Sequence, residues 1–299
     1  MKKRNLTKEK KEKNNLFFKL VMLILFISGL ITFLYPFLSD AMNNFHDQSI
    51  IERYQKEYSS LNKQQQKARQ KELQLKNEQL LKNNKLTNIP GMGLVKDPFE
   101  EATKDARDPG QEYFKTHMLG AIFIPKIKVS LPIFDETNDL LLDKGATVLQ
   151  GTSFPIGGKG THSVITGHSG LPEKKLFTDL EKLKKGDVFY ITVAGSKLAY
   201  RISNFKKVLP TDLDSLKITE NMDQVTLVTC TPYMVNTHRL LVTGLRIPYN
   251  EEDLEKQINS TKKYNILKLV IILILILFFL LIVIYKIWKM VKSYLNNKD

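Results

Sequence analysis

The chain contains one cysteine, Cys230. That count excludes an internal disulfide framework, a cysteine-rich zinc site and a CxxC redox pair. It leaves an inert thiol, an intermolecular bridge or a nucleophile. Cys230 closes the run VTLVTC at 225–230 and is followed by Thr231, Pro232 and Tyr233. A proline this soon after the thiol ends a strand, so the sulfur is expected at a sheet rim and not in mid-ladder. A nucleophilic thiol needs an imidazole within reach and a cation or dipole for the oxyanion that develops. His168 closes a second strand-like run, SVITGH, with Gly167 and Gly170 on either side. Those glycines leave room for a sharp turn and for a substrate backbone. Arg239 opens a third run, nine residues after Cys230. A hairpin between them would bring a permanent cation beside the thiol, able to hold a carbonyl or a developing oxyanion. Each residue taken singly also has a plain alternative: a core thiol, a satisfied histidine, a solvated surface cation.

Other chemistry is less well supported. His162 lies in the turn before the His168 strand, His46 and His117 precede the strand-rich region, and His238 adjoins Arg239. GGKG at 157–160 lacks the spacing and the Ser/Thr of a phosphate loop. No His, Asp or Glu grouping has metal-ligand spacing, so no metal or cofactor is expected. The net charge of +14 invites a nucleic-acid reading until it is located. Seven Lys/Arg face two acids in residues 1–15, nine face four in 50–90, and seven face one in 260–299. Residues 91–259 balance 21 basic against 22 acidic side chains. A DNA-binding groove needs its charge on the folded domain, so nucleic acid is not an expected partner.

The elements that must position these residues follow from periodicity. From Met118 the chain becomes a series of short β-rich runs separated by Gly, Pro and Lys turns: GAIFIP, KVSLPIF, a short run at 146–149, SVITGH, DVFYITVA, KLAYRISNFKKVL, VTLVTC and RLLVTGLRI. Eight short strands and few helical pieces, at 138–143 and 175–183, predict a mainly β fold closed into a barrel, which leaves no exposed edges. Residues 41–86, rich in Gln, Lys, Glu and Asn without Gly or Pro, read as a solvated helix or helical pair acting as a spacer. Two runs, 16–38 and 266–287, are apolar over the roughly 20 residues a bilayer requires. Basic residues outside both runs predict cytoplasmic termini and an external 39–265 segment.

Taken together, TLVTC at 226–230, TGH at 166–168 and Arg239 resemble the sortases, membrane-anchored transpeptidases of Gram-positive bacteria. The longer stretch FPIGGKGTHSVITGHSGLPEKKLFTDLEKLKKGD is similar as well. The two-span layout and Asp97-Pro98-Phe99 upstream of the strands resemble the class C, pilus-assembly branch and its lid. One departure is Ser169, where class C members often carry Arg.

The resemblance implies an eight-stranded sortase-type barrel, with Cys230 as nucleophile, His168 as its proton partner and Arg239 as the oxyanion and substrate clamp. Asp97 and Phe99 would be lid residues lying over Arg239 and Cys230. It divides the chain into a basic tail (1–15), a span (16–38), a helical spacer (39–90), a lid loop (91–116), a catalytic barrel (117–250), a linker (251–265), a second span (266–287) and a tail (288–299). The implied partners are pilins bearing an LPxTG-like sorting signal and acceptor lysines. A housekeeping sortase acting on peptidoglycan, a cell-wall cysteine peptidase and a catalytically idle surface adhesion or signalling module are the competing expectations.

Overall fold

The computed structural model describes residues 2–83 and 110–296. It divides into a barrel-bearing unit, Asn43–Asn265, and a helical unit formed by Met1–Met42 with Ile266–Asp299. Helix α1 (Lys2–Ser60) and the C-terminal helix α5 (Glu251–Asn296) each contribute residues to both units.

The barrel is closed, and its eight strands run β1 (Met118–Ile124), β2 (Val129–Phe134), β3 (Ala146–Val148), β4 (Thr161–Thr166), β5 (Val188–Val193), β6 (Ser196–Val208), β7 (Asp223–Thr231) and β8 (His238–Ile247). Around the barrel the order is β1-β2-β3-β4-β7-β8-β6-β5. Every neighbouring pair is antiparallel except β2 with β3 and β4 with β7. The eight expected strands are all present. The expected helical pieces are a short helix at Asp139–Lys144 (α4) and a 3-10 turn at Thr178–Lys182. Asn138 caps α4, its side-chain oxygen accepting from the Leu141 amide at 2.9 Å.

Side chains alternate across each strand, and the two faces of the barrel wall carry separate cores. Ile122, Ile133, Ile165, Phe189, Tyr200, Val225, Leu227 and Val242 fill the interior. On the outer face, Leu149, Val164, Val208, Leu216, Val228 and Leu241 form a second apolar layer, to which Leu213 from the β6–β7 connection adds. That connection therefore packs over the outside of β4, β7 and β8.

The segment expected as a solvated helix or helical pair before the barrel is a pair, and it is seated on the barrel and not merely solvated. Helix α2 (Lys63–Asn83) opens on a reciprocal cap: the Gln65 amide donates to Asn62 Oδ1 and the Asn62 amide to Gln65 Oε1. Both helices are packed on the barrel. Ile51 of α1 and Leu254 of α5 are buried against Met118, Phe123 and Phe134, and Leu73 of α2 joins the interior core. Burying a leucine of this kind is worth roughly 2 kcal/mol. Asn77 then fixes α2 to the segment before β4. Its amide donates to Phe154 O at 3.0 Å and its carbonyl accepts from the Phe154 amide at 2.7 Å.

In the helical unit, α1 and α5 each contain a stretch long and apolar enough to cross a membrane. Their large apolar side chains, among them Phe18, Leu25, Phe33, Leu277 and Phe278, are exposed. Lys268 donates to Asp40 Oδ2 at 2.6 Å within this unit.

Candidate active site

The relation between β4 and β7 assembles the site. They run parallel with Thr166 opposite Val228, so their C-terminal ends reach the same rim. Two residues further along each chain stand His168 and Cys230. The ladder continues past Thr166: the Gly167 amide donates to Val228 O at 3.1 Å, and Thr229 Oγ1 donates to Gly167 O at 2.7 Å. On the other side of β7, Cys230 is paired with Arg239 of antiparallel β8. Cys230 and Arg239 on adjacent strands β7 and β8, and His168 just past the end of neighbouring β4, thus stand in one row at the barrel rim.

Parity puts all three on one face. Val164, Val228 and Leu241 belong to the outer apolar layer. His168, Cys230 and Arg239 lie an even number of residues from them, so they share the outer side, at its open end. All three are half-buried. Strand β7 continues for one residue beyond Cys230, and Thr231 still pairs with His238. The thiol is thus at the end of the ladder, as the proline after it implied.

Local packing fixes each group. A Cβ at Gly167 would come within 2.8 Å of the Phe177 ring, so only glycine lets the chain pass there on its way to His168. His168 O accepts from the Phe177 amide at 3.0 Å, which holds the loop after β4. The ring itself faces a carboxylate, with His168 Nε2 3.5 Å from Asp143 Oδ1 on α4. Asp143 is 57% exposed, so solvent screens much of that attraction. Arg239 Nη1 donates to Asn236 O at 3.1 Å and His238 O at 3.2 Å, which ties the guanidinium to the β7–β8 loop. Tyr233 in the same loop leans over Gly170, where a Cβ would meet its ring at 2.9 Å. With φ at +84°, Gly170 takes a backbone conformation that side chains rarely adopt, so the loops on either side of the Cys–His row close upon a glycine.

The other histidines have different surroundings. His162, expected in a turn, is the second residue of β4 and only 2% exposed. Its Nδ1 lies 2.9 Å from Lys217 O, and its Nε2 lies 2.7 Å from Thr226 Oγ1. A carbonyl can only accept, so Nδ1 carries the proton and Nε2 accepts from the Thr226 hydroxyl. Burial favours this neutral ring and holds the His162 pKa below its ordinary value. The unfolded chain takes up this proton near pH 6.5, whereas the folded chain does so only at lower pH. The contribution is therefore complete above about pH 6.5 and declines as pH falls from there toward the folded value. Full-length protein is expected to lose thermal stability between pH 7 and pH 5 more steeply than a His162→Gln variant, by up to about 1.4 kcal/mol per pH unit. Parallel profiles would contradict this. His117, with Nδ1 2.8 Å from Asp135 Oδ1, binds the short helix α3 (Gly110–Thr116) to the end of β2. Asp97 and Phe99 lie outside the described residues. Among the described residues no grouping of His, Cys, Asp or Glu could hold a metal ion.

Comparison with known proteins identifies relatives of this fold. The sortase domain model matches residues 122–247. Sortase A of Listeria monocytogenes is 30% identical over 151 residues, 50% of this chain and 63% of that protein. The chain spans about three fifths of the length of the curated relatives it matches, 63% for that protein and 60% for Sortase A of Bacillus anthracis. Sortase C-1 of Streptococcus pneumoniae is 42% identical in its crystal structure, with a TM-score of 0.59 over 68% of this chain and 100% of that one. Sortase C of Clostridium perfringens, solved with the C-terminal cell wall sorting motif, is 37% identical, with a TM-score of 0.54 over 67% of this chain and 99% of that one.

Proposed function

We propose a function from one premise: this chain belongs to the sortase family, and sortases are cysteine transpeptidases. It acts as a class C, pilus-type sortase that cleaves an LPxTG-like signal between Thr and Gly and transfers the acyl group to a lysine of another pilin. The Cys230 thiolate attacks the threonine carbonyl carbon, and Arg239 holds the oxyanion. As the C–N bond breaks, His168 gives a proton to the departing glycine amine, which leaves an acyl thioester on Cys230. The lysine amine then attacks this thioester, His168 takes its proton, and the thiolate is released. A positioned amine competes with water through its effective concentration. Asp97 and Phe99 act as a lid over Arg239 and Cys230 until substrate displaces them. The apolar stretches of α1 and α5 anchor the enzyme in the membrane, with both termini cytoplasmic and the barrel outside.

The observation that carries the reading is the row formed by His168 just past the end of β4, Cys230 on β7 and Arg239 on β8. Class C structures among the neighbours and a second long apolar helix support the pilus branch. The curated Sortase A relatives favour a second reading, in which the acceptor is a peptidoglycan amine. One experiment separates these outcomes. Full-length enzyme and its Asp97→Ala/Phe99→Ala variant receive an LPxTG peptide with either a lysine-bearing pilin domain or a peptidoglycan-type amine. Joined product with the pilin lysine is expected, formed roughly tenfold faster by the variant if a closed conformer limits access. Product with the peptidoglycan amine alone indicates the second reading, and free acid throughout excludes transpeptidation. Equal rates for the two proteins would exclude the lid.

A further inference from the structure

Lys174 sits six residues beyond His168, in the connection between β4 and the 3-10 turn at Thr178–Lys182. It is 6% exposed, and among the described residues no other Lys or Arg is buried so deeply. Its ammonium makes two contacts. Nζ donates to Asp47 Oδ1 of α1 at 2.7 Å and to Lys144 O, the last residue of α4, at 2.6 Å. Asp47 is itself 2% exposed. A second tie runs alongside, with Asn43 of α1 donating to Glu173 O at 2.9 Å.

An ion pair this deeply buried is a poor device for stability alone. Desolvating both charges offsets most of their attraction, and well-packed apolar residues of similar volume commonly do as well or better. An ammonium can do what a methyl group cannot, which is to donate to several acceptors in fixed directions. Here the acceptors belong to two segments bordering the His168 loop. One is α1. The other is the end of α4, where Lys144 follows Asp143, whose carboxylate lies 3.5 Å from His168 Nε2. The loop, α1 and α4 therefore meet at a single nitrogen.

We propose that Lys174 is a positioning residue: with Asp47 it fixes the His168 loop and the Asp143-bearing end of α4 relative to each other, and so sets the aim of the His168 imidazole. The inference rests on the reading of His168 as the proton partner of Cys230. It also makes the extramembrane end of α1 part of the site's support.

The test uses full-length protein in detergent and a fluorogenic peptide containing Leu-Pro-x-Thr-Gly. In Asp47→Leu/Lys174→Met both charges are replaced together, so no buried charge is left unpaired. Its unfolding midpoint is expected near wild type. Its kcat is expected to fall between about tenfold and 100-fold, with KM within about twofold, because misplacing a catalytic group acts on the chemical step. The pH dependence of kcat/KM should shift as well, which lost packing alone would not produce. A double variant with wild-type kcat and pH profile overturns the inference. Should that variant not fold, Asp47→Asn, nearly isosteric, decides the matter: a lowered kcat with a displaced pH profile supports positioning, and superimposable profiles refute it. His168→Ala separates the two levels of argument. If it retains turnover, the underlying reading of His168 is wrong. If it is inactive while the Lys174 variants behave as wild type, only the positioning role fails.

Discussion

Replacing Cys230 with alanine is expected to abolish peptide cleavage and joining together, lowering turnover by roughly 10⁴-fold or more, as removal of a covalent nucleophile does elsewhere. No other thiol exists in the chain to substitute for it. Its place at the end of β7, half-buried beside the His168 loop and opposite Arg239, gives the sulfur access to a carbonyl without exposing it fully. The structure should tolerate the change, because Thr229 and Thr231 keep their own contacts. Unaltered thermal unfolding together with lost thioester capture of an LPxTG peptide is the expected pair of results. Cleavage persisting in the variant would remove Cys230 from the mechanism. The lone cysteine also makes sidedness measurable: a membrane-impermeant maleimide added to intact cells should label wild type and leave the variant unlabelled. Labelling only after the membrane is opened would reverse the proposed orientation.

Arg239→Ala is expected to lower kcat by about 10² to 10³-fold, the cost usually seen when an oxyanion donor is removed. The cross-strand pairing puts the guanidinium on the same face as Cys230, where the proposed mechanism needs the oxyanion held, and the carbonyls of Asn236 and His238 fix its direction. Arg239→Lys should recover only part of the loss. An ammonium is a point charge on a flexible stem, unlike a guanidinium, which has five donors in a rigid fork. Steady-state kinetics that separate kcat from KM provide the check. A change within threefold for Arg239→Ala would leave the cation without a role in the chemical step.

Much of the fold was legible in the sequence because its punctuation is strong. Gly, Pro and Lys turns separate β-rich runs short enough to be strands, and Pro232 marks where the Cys230 strand stops. The candidate row of His168, Cys230 and Arg239 was legible for a similar reason, since each residue ends or begins such a run. The wall around them was not. Asp143 and Lys174 look like ordinary solvated charges in LLLDKG and LPEKKLF, and only the tertiary fold brings them to His168 and Asp47. His162 could not be separated from a turn residue, because its partners, Lys217 and Thr226, are 55 and 64 residues away. The helices before the barrel read as solvated, their composition being dominated by Gln and Lys. A few well-spaced residues, Ile51, Leu73 and Asn77, suffice to seat them.

The parallel pairing of β4 with β7 has a consequence for biogenesis. Gly167 and Thr229, bonded at the foot of the site, are 62 residues apart in sequence, and the β5–β6 hairpin must form between them. Contacts of that range form late, because the loop they close is long. The Cys230 thiol and the His168 imidazole are therefore expected to meet only when β7 docks on β4, after the intervening hairpin has been made. On the proposed roles of these two residues, a chain lacking the β4–β7 contact is expected to show no activated thiol, which alkylation during refolding would check.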